Sequence, residues 1–365
     1  MGERAALRVE SPAYAKLRSY RRSTFLVAAN SLLGLGWGPP TAPELSYLCP
    51  VPLQYLPFSA LNLVAWDACV LAAEQAVPYA QVAWLRATAG RWDAVVEVED
   101  ATGAYLSVLA LPVKRRPWGR EVYQPAFTQQ LGLLTTADSR HRAVADYLAL
   151  LPGRYARLYT QLNLENAVAA APSGFTLTWR QTYVLDLSAS GEELLQGYAA
   201  DYRRRLRVNG QQPHPLAVTE EVFPEALIQL FRRHKGGEVA SLKPRHYRQL
   251  TQLISNLQSL GQVRILTVPS PETGELLAGA LFVVQPRRIV YLFAAASPAG
   301  KKAGAPLLLL DYMIQDYASS PGLVLDFEGG MIPSIARFFA NFGAAPVPYA
   351  ALTQTSLPWY LLWKR

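Results

Sequence analysis

Cysteine and histidine are scarce in this chain. Among its 365 residues it has two cysteines, Cys49 and Cys69, and four histidines. Two cysteines cannot form a disulfide framework, and neither the cysteines nor the histidines show the spacing of a zinc site. We therefore expect no bound metal, and the low cysteine content is typical of a reducing, cytoplasmic compartment.

Long hydrophobic runs are also absent. No run approaches the ~20 apolar residues that cross a bilayer, so stable membrane insertion is not expected. In residues 1–46, basic residues precede an apolar run that starts at Phe25, and Arg21-Arg22 suggests a twin-arginine export signal. No small-residue cleavage site follows cleanly. We expect a poorly ordered N-terminal extension rather than an export signal.

Charged residues are few, and positive charge prevails among them. Charged residues make up 17% of the chain and hydrophobic residues 51%, which is typical of a folded protein with a sizeable core. The net charge of +8 favours anionic partners such as nucleotides, nucleic acid or acidic lipid headgroups. The basic residues are scattered, so a dedicated DNA-binding function is not expected.

The stretch from Arg287 to Gly329 has the most distinctive pattern in the chain. Apolar β-formers predict a strand, and the glycine- and lysine-containing loop Ser297–Ala305 follows it. Pro306 suits the first turn of a helix, because the N–H that it lacks is not needed there. The short apolar run Leu323–Phe327 is typical of a buried parallel strand. A helix that starts after such a loop offers free N–H groups to a phosphate-bearing ligand.

The surrounding elements predict three antiparallel strands, a loop, a helix, a strand, a helix and extended C-terminal segments. This order resembles the acyl-CoA N-acyltransferase (GNAT) fold, in which the third strand splays from the next one and the loop binds the pyrophosphate of coenzyme A. The segment from Lys301 to Pro306 partially matches that family's loop pattern, Gln/Arg-x-x-Gly-x-Gly/Ala. The resemblance implies an acyl-CoA donor such as acetyl-CoA, bound by Phe293, Ala294, Ala295, Gly300, Lys301, Lys302, Gly304 and Ala305.

Three shorter motifs resemble the Fem-type branch of the same superfamily. They are Asp326-Phe327-Glu328-Gly329, Phe342-Gly343-Ala344 and Gln129-Gln130-Leu131-Gly132. The resemblance implies an α/β (α+β) fold of two tandem GNAT-like domains, each a mixed, mostly antiparallel sheet flanked by helices. We expect the first domain at residues 47–172 and the second at residues 173–365.

Amine acylation needs a base for the amine proton, a donor for the carbonyl oxygen and an acid for the leaving group. Glu328 is the preferred base, whereas Asp326 suits either this role or a structural hydrogen bond. Tyr291 and Tyr349 are candidate acids, although each also suits a groove-lining aromatic. No nucleophile motif of the Gly-x-Ser-x-Gly type is present, so direct transfer is expected. The candidate substrate contacts, each of which also suits a solvated surface, are Gln129, Gln130 and Lys235.

Three functions remain open at this level. The first is transfer from acyl-CoA to a small-molecule or peptide-like amine. The second is aminoacyl-tRNA-dependent transfer to a peptide or cell-wall precursor, which the basic cluster Arg203–Arg207 at the end of a predicted helix, Ser190–Arg207, favours. Fem-type proteins of that kind often carry a coiled-coil arm, and no sustained heptad pattern is visible here. The third is ligand binding without catalysis, because the loop pattern matches only partially.

Overall fold

A computed structural model describes residues 52–75, 77–236 and 242–356. A compact unit begins at Val51. The expected N-terminal extension, residues 1–46, lies outside the described residues, as does Cys49. Within the described part of the chain, no helix is both long and apolar enough to cross a membrane.

The strands of the described residues form one continuous sheet. Their bounds are β1 Leu53–Leu56, β2 Trp92–Val98, β3 Tyr105–Arg116, β4 Gly119–Val122, β5 Leu133–Thr135, β6 Arg157–Gln161, β7 Thr176–Asp186, β8 Thr219–Glu221, β9 Val263–Pro269, β10 Leu276–Val284, β11 Arg288–Ala296, β12 Val324–Asp326 and β13 Ala345–Thr355. The strand order is β1-β2-β3-β4-β6-β13-β7-β12-β11-β10-β9-β8, with β5 paired to β3.

The helices of the described residues flank this sheet, together with two short 3₁₀ turns at Phe58–Ala60 and Pro78–Ala80. Their bounds are α1 Leu63–Ala72, α2 Val82–Thr88, α3 Val144–Leu148, α4 Gly191–Gln196, α5 Ala200–Gly210, α6 Glu225–His234, α7 Pro244–Gln258, α8 Pro298–Ala303, α9 Ala305–Asp316 and α10 Pro333–Ala340.

Most neighbouring strands run antiparallel. The parallel pairs are β4 with β6 and β11 with β12, while β9, β10 and β11 form an antiparallel meander. This arrangement confirms the predicted α/β class with a mixed, mostly antiparallel sheet flanked by helices. It also confirms, for the second half, the predicted order of three antiparallel strands, helix, strand and helix. Of the predicted C-terminal segments, β13 is present, and residues 357–365 lie outside the described residues.

The predicted helix Ser190–Arg207 is wrong in its middle, because the chain forms α4 and α5 with a break between them. At the break the ring of Tyr198 packs against that of Phe342, with centroids 5.2 Å apart. The backbone N–H of Ala199 donates to the carbonyl of Asn341 at 2.8 Å. These contacts with a distant segment replace the helical hydrogen bonds that the local sequence favours.

The last strand joins the two halves of the sheet. β13 pairs with β6 on one side and with β7 on the other, antiparallel to both. Apolar packing also crosses the expected domain boundary, since the cluster around Trp66 and Trp84 includes Leu250 and Val290. The boundary between residues 172 and 173 therefore stays a prediction.

The sheet opens between β11 and β12. β12 pairs with Arg288–Val290 at the start of β11. From Tyr291 onward β11 continues to pair with β10, up to Ala296. Within the described residues, one backbone edge of residues 291–296 therefore faces away from any neighbouring strand. This divergence creates the space in which the candidate site lies.

Candidate active site

A cavity of about 1010 Å³ occupies the divergence of β11 and β12. One wall comes from β11, α8, α9, α10 and the loop after β12. The opposite wall comes from the loop after β4 and from β6, β7 and β13. Much of the lining is aromatic or aliphatic. Several polar side chains also line the cavity, among them Gln129, Gln161, Arg180, Gln181, Lys235, Tyr291, Lys301, Glu328 and Tyr349.

Glu328 enters this cavity from a turn at the end of β12. Its φ angle is 52°, a left-handed conformation that is uncommon for any residue with a side chain. The backbone N–H of Glu328 donates to Oδ1 of Asp326 at 2.9 Å, which stabilises the turn. Conformations of this kind are concentrated at functional sites, where the surrounding structure maintains them.

The carboxyl group of Glu328 is buried, and its pKa is raised. Burial is the largest effect and raises this pKa well above the usual range. The Tyr79 hydroxyl lowers it, the charge of Asp326 raises it, and the backbone N–H of Gln129 lowers it. Among the described residues, neither Glu328 Oε1 nor the Tyr79 hydroxyl has a hydrogen bond of good geometry. A buried carboxyl group with a raised pKa, facing a cavity, is typical of a group that exchanges a proton with a ligand.

Asp326, the alternative base, does not line the cavity. Its side chain is fully buried and forms an ion pair with Arg288, whose Nη1 lies 2.7 Å from Oδ2. Its other oxygen accepts hydrogen bonds from the Thr182 hydroxyl at 2.7 Å and from the backbone of Glu328. Asp326 therefore acts on the site by positioning Glu328, which matches the structural role that the sequence also allowed.

Both candidate acids line the cavity. The hydroxyl of Tyr349 donates to Oε1 of Gln161 at 3.0 Å, and burial raises its pKa to about 12. Burial also raises the pKa of Tyr291, whose ring contacts those of Phe327 and Phe339 at centroid distances of 6.4 and 6.1 Å. Both phenols therefore keep their protons at neutral pH, as a proton donor must.

The predicted donor-binding residues divide into two groups. Phe293, Ala294 and Ala295 line the cavity on the open edge of β11, and Lys301 lines it from α8. The remaining four predicted residues do not line it, and they are Gly300, Lys302, Gly304 and Ala305.

The predicted loop Ser297–Ala305 is itself largely helical. Ser297 caps α8 by accepting a hydrogen bond from Gly300 N–H at 3.0 Å, and Gly304 ends α8 with a φ angle of 85°. Gly300 has a packing role, because a Cβ atom there would lie 2.1 Å from the carbonyl oxygen of Leu277. Glycine at this position allows α8 to pack against β10. It does not serve the role that the predicted loop implied, which was to expose backbone N–H groups to an anion.

The start of α9 also offers few donors to an anion. Pro306 has no backbone N–H, and the N–H groups of Leu307 and Leu308 donate to the carbonyl of Gly304 at 3.0 and 3.3 Å. A helix N-terminus usually leaves its first N–H groups free. Phosphate recognition at this end of the cavity therefore relies more on side-chain charge, such as that of Lys301, than the sequence motif implies.

Of the predicted substrate contacts, Gln129 and Lys235 line the cavity and Gln130 does not. Gln130 is buried, and its Nε2 donates to Oε1 of Gln129 at 2.8 Å. Its own Oε1 accepts from the backbone N–H of Leu164 at 3.2 Å. Gln130 thus orients Gln129 instead of meeting a ligand.

Sequence reasoning missed a polar wall made by three adjacent strands. Gln161 of β6, Arg180 and Gln181 of β7, and Tyr349 of β13 all line the cavity, and only Tyr349 was a candidate. No motif surrounds Gln161 or Arg180. Their relevance follows from the pairing of β13 with both β6 and β7, which joins segments far apart in sequence. Among the described residues, no group of His, Cys, Asp and Glu side chains could hold a metal ion.

Comparisons with known proteins agree with this geometry. Residues 196–332 match the family model of the acetyltransferase (GNAT) domain. The structure of FemX is similar over 81% of this chain and 96% of that chain, with 12% identity and a TM-score of 0.57. A conserved protein of unknown function from Bacteroides thetaiotaomicron is similar over 82% of this chain and 99% of that chain, with 10% identity and a TM-score of 0.54. No curated protein matches the chain by sequence.

The family match runs from the last residue of α4 to the loop after β12, which includes the meander, the open edge of β11 and Glu328. The structural similarity extends over the first half as well. Residues 196–332 therefore form an acetyltransferase (GNAT) domain, and the fold of the chain is similar to that of FemX.

Proposed function

We propose that this chain transfers an acyl group directly from a donor held against β11 to the nitrogen of an amine, with Glu328 as the general base. The observation that carries the proposal is the Glu328 carboxyl group, which lines the cavity and has a buried oxygen without a partner. A base in that position lies beside the open edge of β11, where a carbonyl group can be bound.

The reaction follows from these positions. The amine attacks the carbonyl carbon of the donor, a C–N bond forms, and Glu328 takes the proton from the nitrogen. Backbone N–H groups on the open edge of residues 291–296 stabilise the negative charge on the carbonyl oxygen. The bond to the leaving group then breaks, and the phenol of Tyr291 or Tyr349 supplies the proton that the leaving group needs.

An acyl-CoA, such as acetyl-CoA, is the first candidate donor. The GNAT domain match and the position of Lys301 at the cavity support it. The acceptor is then a small-molecule or peptide-like amine that enters from the side of β6, β7 and β13. No part of this proposal requires a metal, DNA or a membrane.

A charged tRNA is the second candidate donor, and one contact favours it. The guanidinium of Arg205 on α5 lies 3.4 and 3.3 Å from the carbonyl oxygens of Lys301 and Lys302 on α8. This contact joins the basic end of α5 to the two lysines beside the cavity. The exposed members of the joined surface are Arg203, Arg204, Arg207, Lys301 and Lys302. A surface of this kind suits a phosphate backbone longer than that of coenzyme A.

Catalysis is tested by acyl transfer to a panel of amines with Glu328→Gln. We expect kcat to fall by about 10²- to 10⁴-fold, because the substitution removes the proton acceptor while keeping the size of the side chain. Glu192→Gln, an exposed residue at the start of α4, is the matched control and should leave kcat unchanged. If the native chain transfers no acyl group from either donor, ligand binding without catalysis becomes the better interpretation.

The donor is tested by binding. Titration calorimetry with acetyl-CoA and longer acyl-CoA compounds, compared with a Lys301→Ala/Lys302→Ala variant, tests the first candidate. Salt-dependent binding of charged tRNA, compared with an Arg203→Gln/Arg204→Gln/Arg207→Gln variant, tests the second. Saturable acyl-CoA binding that requires the two lysines supports the first donor. Tight tRNA binding that weakens steeply with salt and with the arginine variant supports the second.

A further inference from the structure

Arg180 is a positive charge in the cavity without an acidic partner. It lies on β7 and lines the polar wall, and its Nε is buried without a hydrogen-bond partner in the described structure. The ion pairs among the described residues do not include it. Arg180 is partly buried, and a guanidinium that loses water without gaining a counter-charge is disfavoured, a cost that is relieved when a ligand supplies the anion.

The surroundings of Arg180 hold it in place but do not neutralise it. Tyr349 is its direct register partner on β13, and the guanidinium interacts with the Tyr349 hydroxyl. That hydroxyl in turn donates to Gln161 at 3.0 Å. The neighbouring Gln181 donates from Nε2 to the carbonyl of Gly330 at 2.7 Å. The groups described beside Arg180 on this wall are thus a phenol and neutral amides.

The position of Arg180 relative to Glu328 limits the ligand. Oδ1 of Asp326 accepts hydrogen bonds from both the Thr182 hydroxyl and the Glu328 backbone, so Thr182 lies level with Glu328. Arg180 precedes Thr182 by two residues on the same face of β7, a separation of roughly 7 Å along the strand. One small molecule can therefore place a nitrogen at Glu328 and an anionic group at Arg180.

We propose that the acceptor amine carries a carboxylate a few bonds from its nitrogen, as an amino acid does, and that Arg180 binds this carboxylate. The proposal rests on the function given above, because it names the acceptor of the same site. A planar guanidinium forms two parallel hydrogen bonds with a carboxylate, which fixes the direction of the attacking nitrogen.

Binding to the full-length chain, without donor or turnover, tests this inference. Calorimetric titrations compare matched pairs: glycine with glycinamide, β-alanine with β-alaninamide, and a set of dipeptides with their C-terminal amides. Phosphoethanolamine serves as the phosphate counterpart of β-alanine. We expect the preferred carboxylate to bind about 10- to 100-fold more tightly than its amide, because a hydrogen-bonded ion pair is lost in the amide.

Variants assign this preference to Arg180. Arg180→Gln should abolish the difference between carboxylate and amide, whereas Arg180→Lys, which keeps the charge but not the paired hydrogen bonds, should retain part of it. The exposed Arg86→Gln on α2 is the control and should bind like the native chain. Thermal melting of each variant identifies loss of folding, in which case Arg180→Lys provides the comparison.

Three results would overturn the inference. They are equal binding of carboxylates and amides by the native chain, tighter binding of phosphoethanolamine than of β-alanine, and no binding of any carboxylate in the set. None of these results bears on Glu328-dependent acyl transfer, which is measured separately with the amine panel. Conversely, an absence of transfer leaves the carboxylate preference measurable.

Discussion

Oδ1 of Asp326 lies 2.9 Å from the backbone nitrogen of Glu328 and accepts its hydrogen bond. The same carboxylate forms the buried ion pair with Arg288. The residue at the end of β12 therefore anchors the left-handed turn that directs the Glu328 side chain into the cavity. Two neighbouring acidic residues thus have different roles, one as an anchor and one as the proposed base.

The buried pair should be important for stability. Asp326→Asn removes the carboxylate charge beside Arg288 and is expected to lower the free energy of unfolding by about 3–5 kcal/mol. The comparison is Asp201→Asn, whose exposed partner Arg204 lies 2.7 Å away and whose loss should cost about 1 kcal/mol or less. Urea unfolding measures both. Similar losses for the two variants would contradict the anchoring role of Asp326.

The raised pKa of Glu328 should make stability depend on pH. Between the ordinary value of 4.5 and the higher folded-state pKa, the folded chain binds more protons than the unfolded chain. The free energy of unfolding contributed by this group therefore decreases as pH rises through that window. Glu328→Gln lacks this loss, so its free energy of unfolding relative to that of the native chain should increase from pH 4 to pH 8.

Urea unfolding of the native chain and the glutamine variant at pH 4 and pH 8 measures this effect. The two proteins should differ least at pH 4, where the carboxyl is protonated in the folded state and largely protonated in the unfolded state. Constant relative stability across this range would show that Glu328 titrates normally. A stabilised variant that is also inactive is the pattern expected of a catalytic residue.

The activity of the native chain should also depend on this carboxyl group. As a base, Glu328 works only when ionised, so kcat/KM should rise with pH through the folded-state pKa, above the ordinary range of a glutamate. The rising limb should be absent from the residual activity of Glu328→Gln. Initial rates across pH, with an amine whose own ionisation is known, measure this. A limb that persists in the variant would assign the titration to another group.

The close contact of α8 with β10 predicts a large effect at Gly300. Gly300→Ala places a Cβ atom 2.1 Å from the carbonyl oxygen of Leu277, so we expect a loss of about 3 kcal/mol. Gly322→Ala is the control, because a Cβ there meets no atom within 4 Å and only the positive φ angle of 75° is unfavourable. That change should cost about 1 kcal/mol. Equal melting temperatures for the two variants would contradict tight packing at Gly300.

Cys69 should be unreactive in the folded chain. It is buried on α1, and burial raises the pKa of its thiol to about 12. In a Cys49→Ser variant at pH 8, alkylation of Cys69 should be at least about a hundredfold slower in the folded chain than in urea. Mass spectrometry of iodoacetamide-treated samples measures this. Comparable rates would mean that α1 opens readily.

Much of the second half could be predicted because its signals are local. Apolar alternation, the proline near the start of α9 and the Pro321-Gly322 stop are read from neighbouring residues, and they predict the elements that the structure has. Their order was enough to indicate the superfamily. The same local signals failed where distant contacts intervene, as at the break before α5, where Ala199 bonds to Asn341.

The sequence by itself determined the order of strands and helices, the acidic turn after β12 and the basic residues beside α8. Only the tertiary structure decided that Asp326 is buried in an ion pair with Arg288, that Gly300 serves packing, and that Arg180 belongs to the site. The physical reason is distance along the chain. β13 brings β6 and β7 together, and the pairing of β12 with β7 brings Arg180 near Glu328. The local sequence around these strands does not indicate which strands pair with each other.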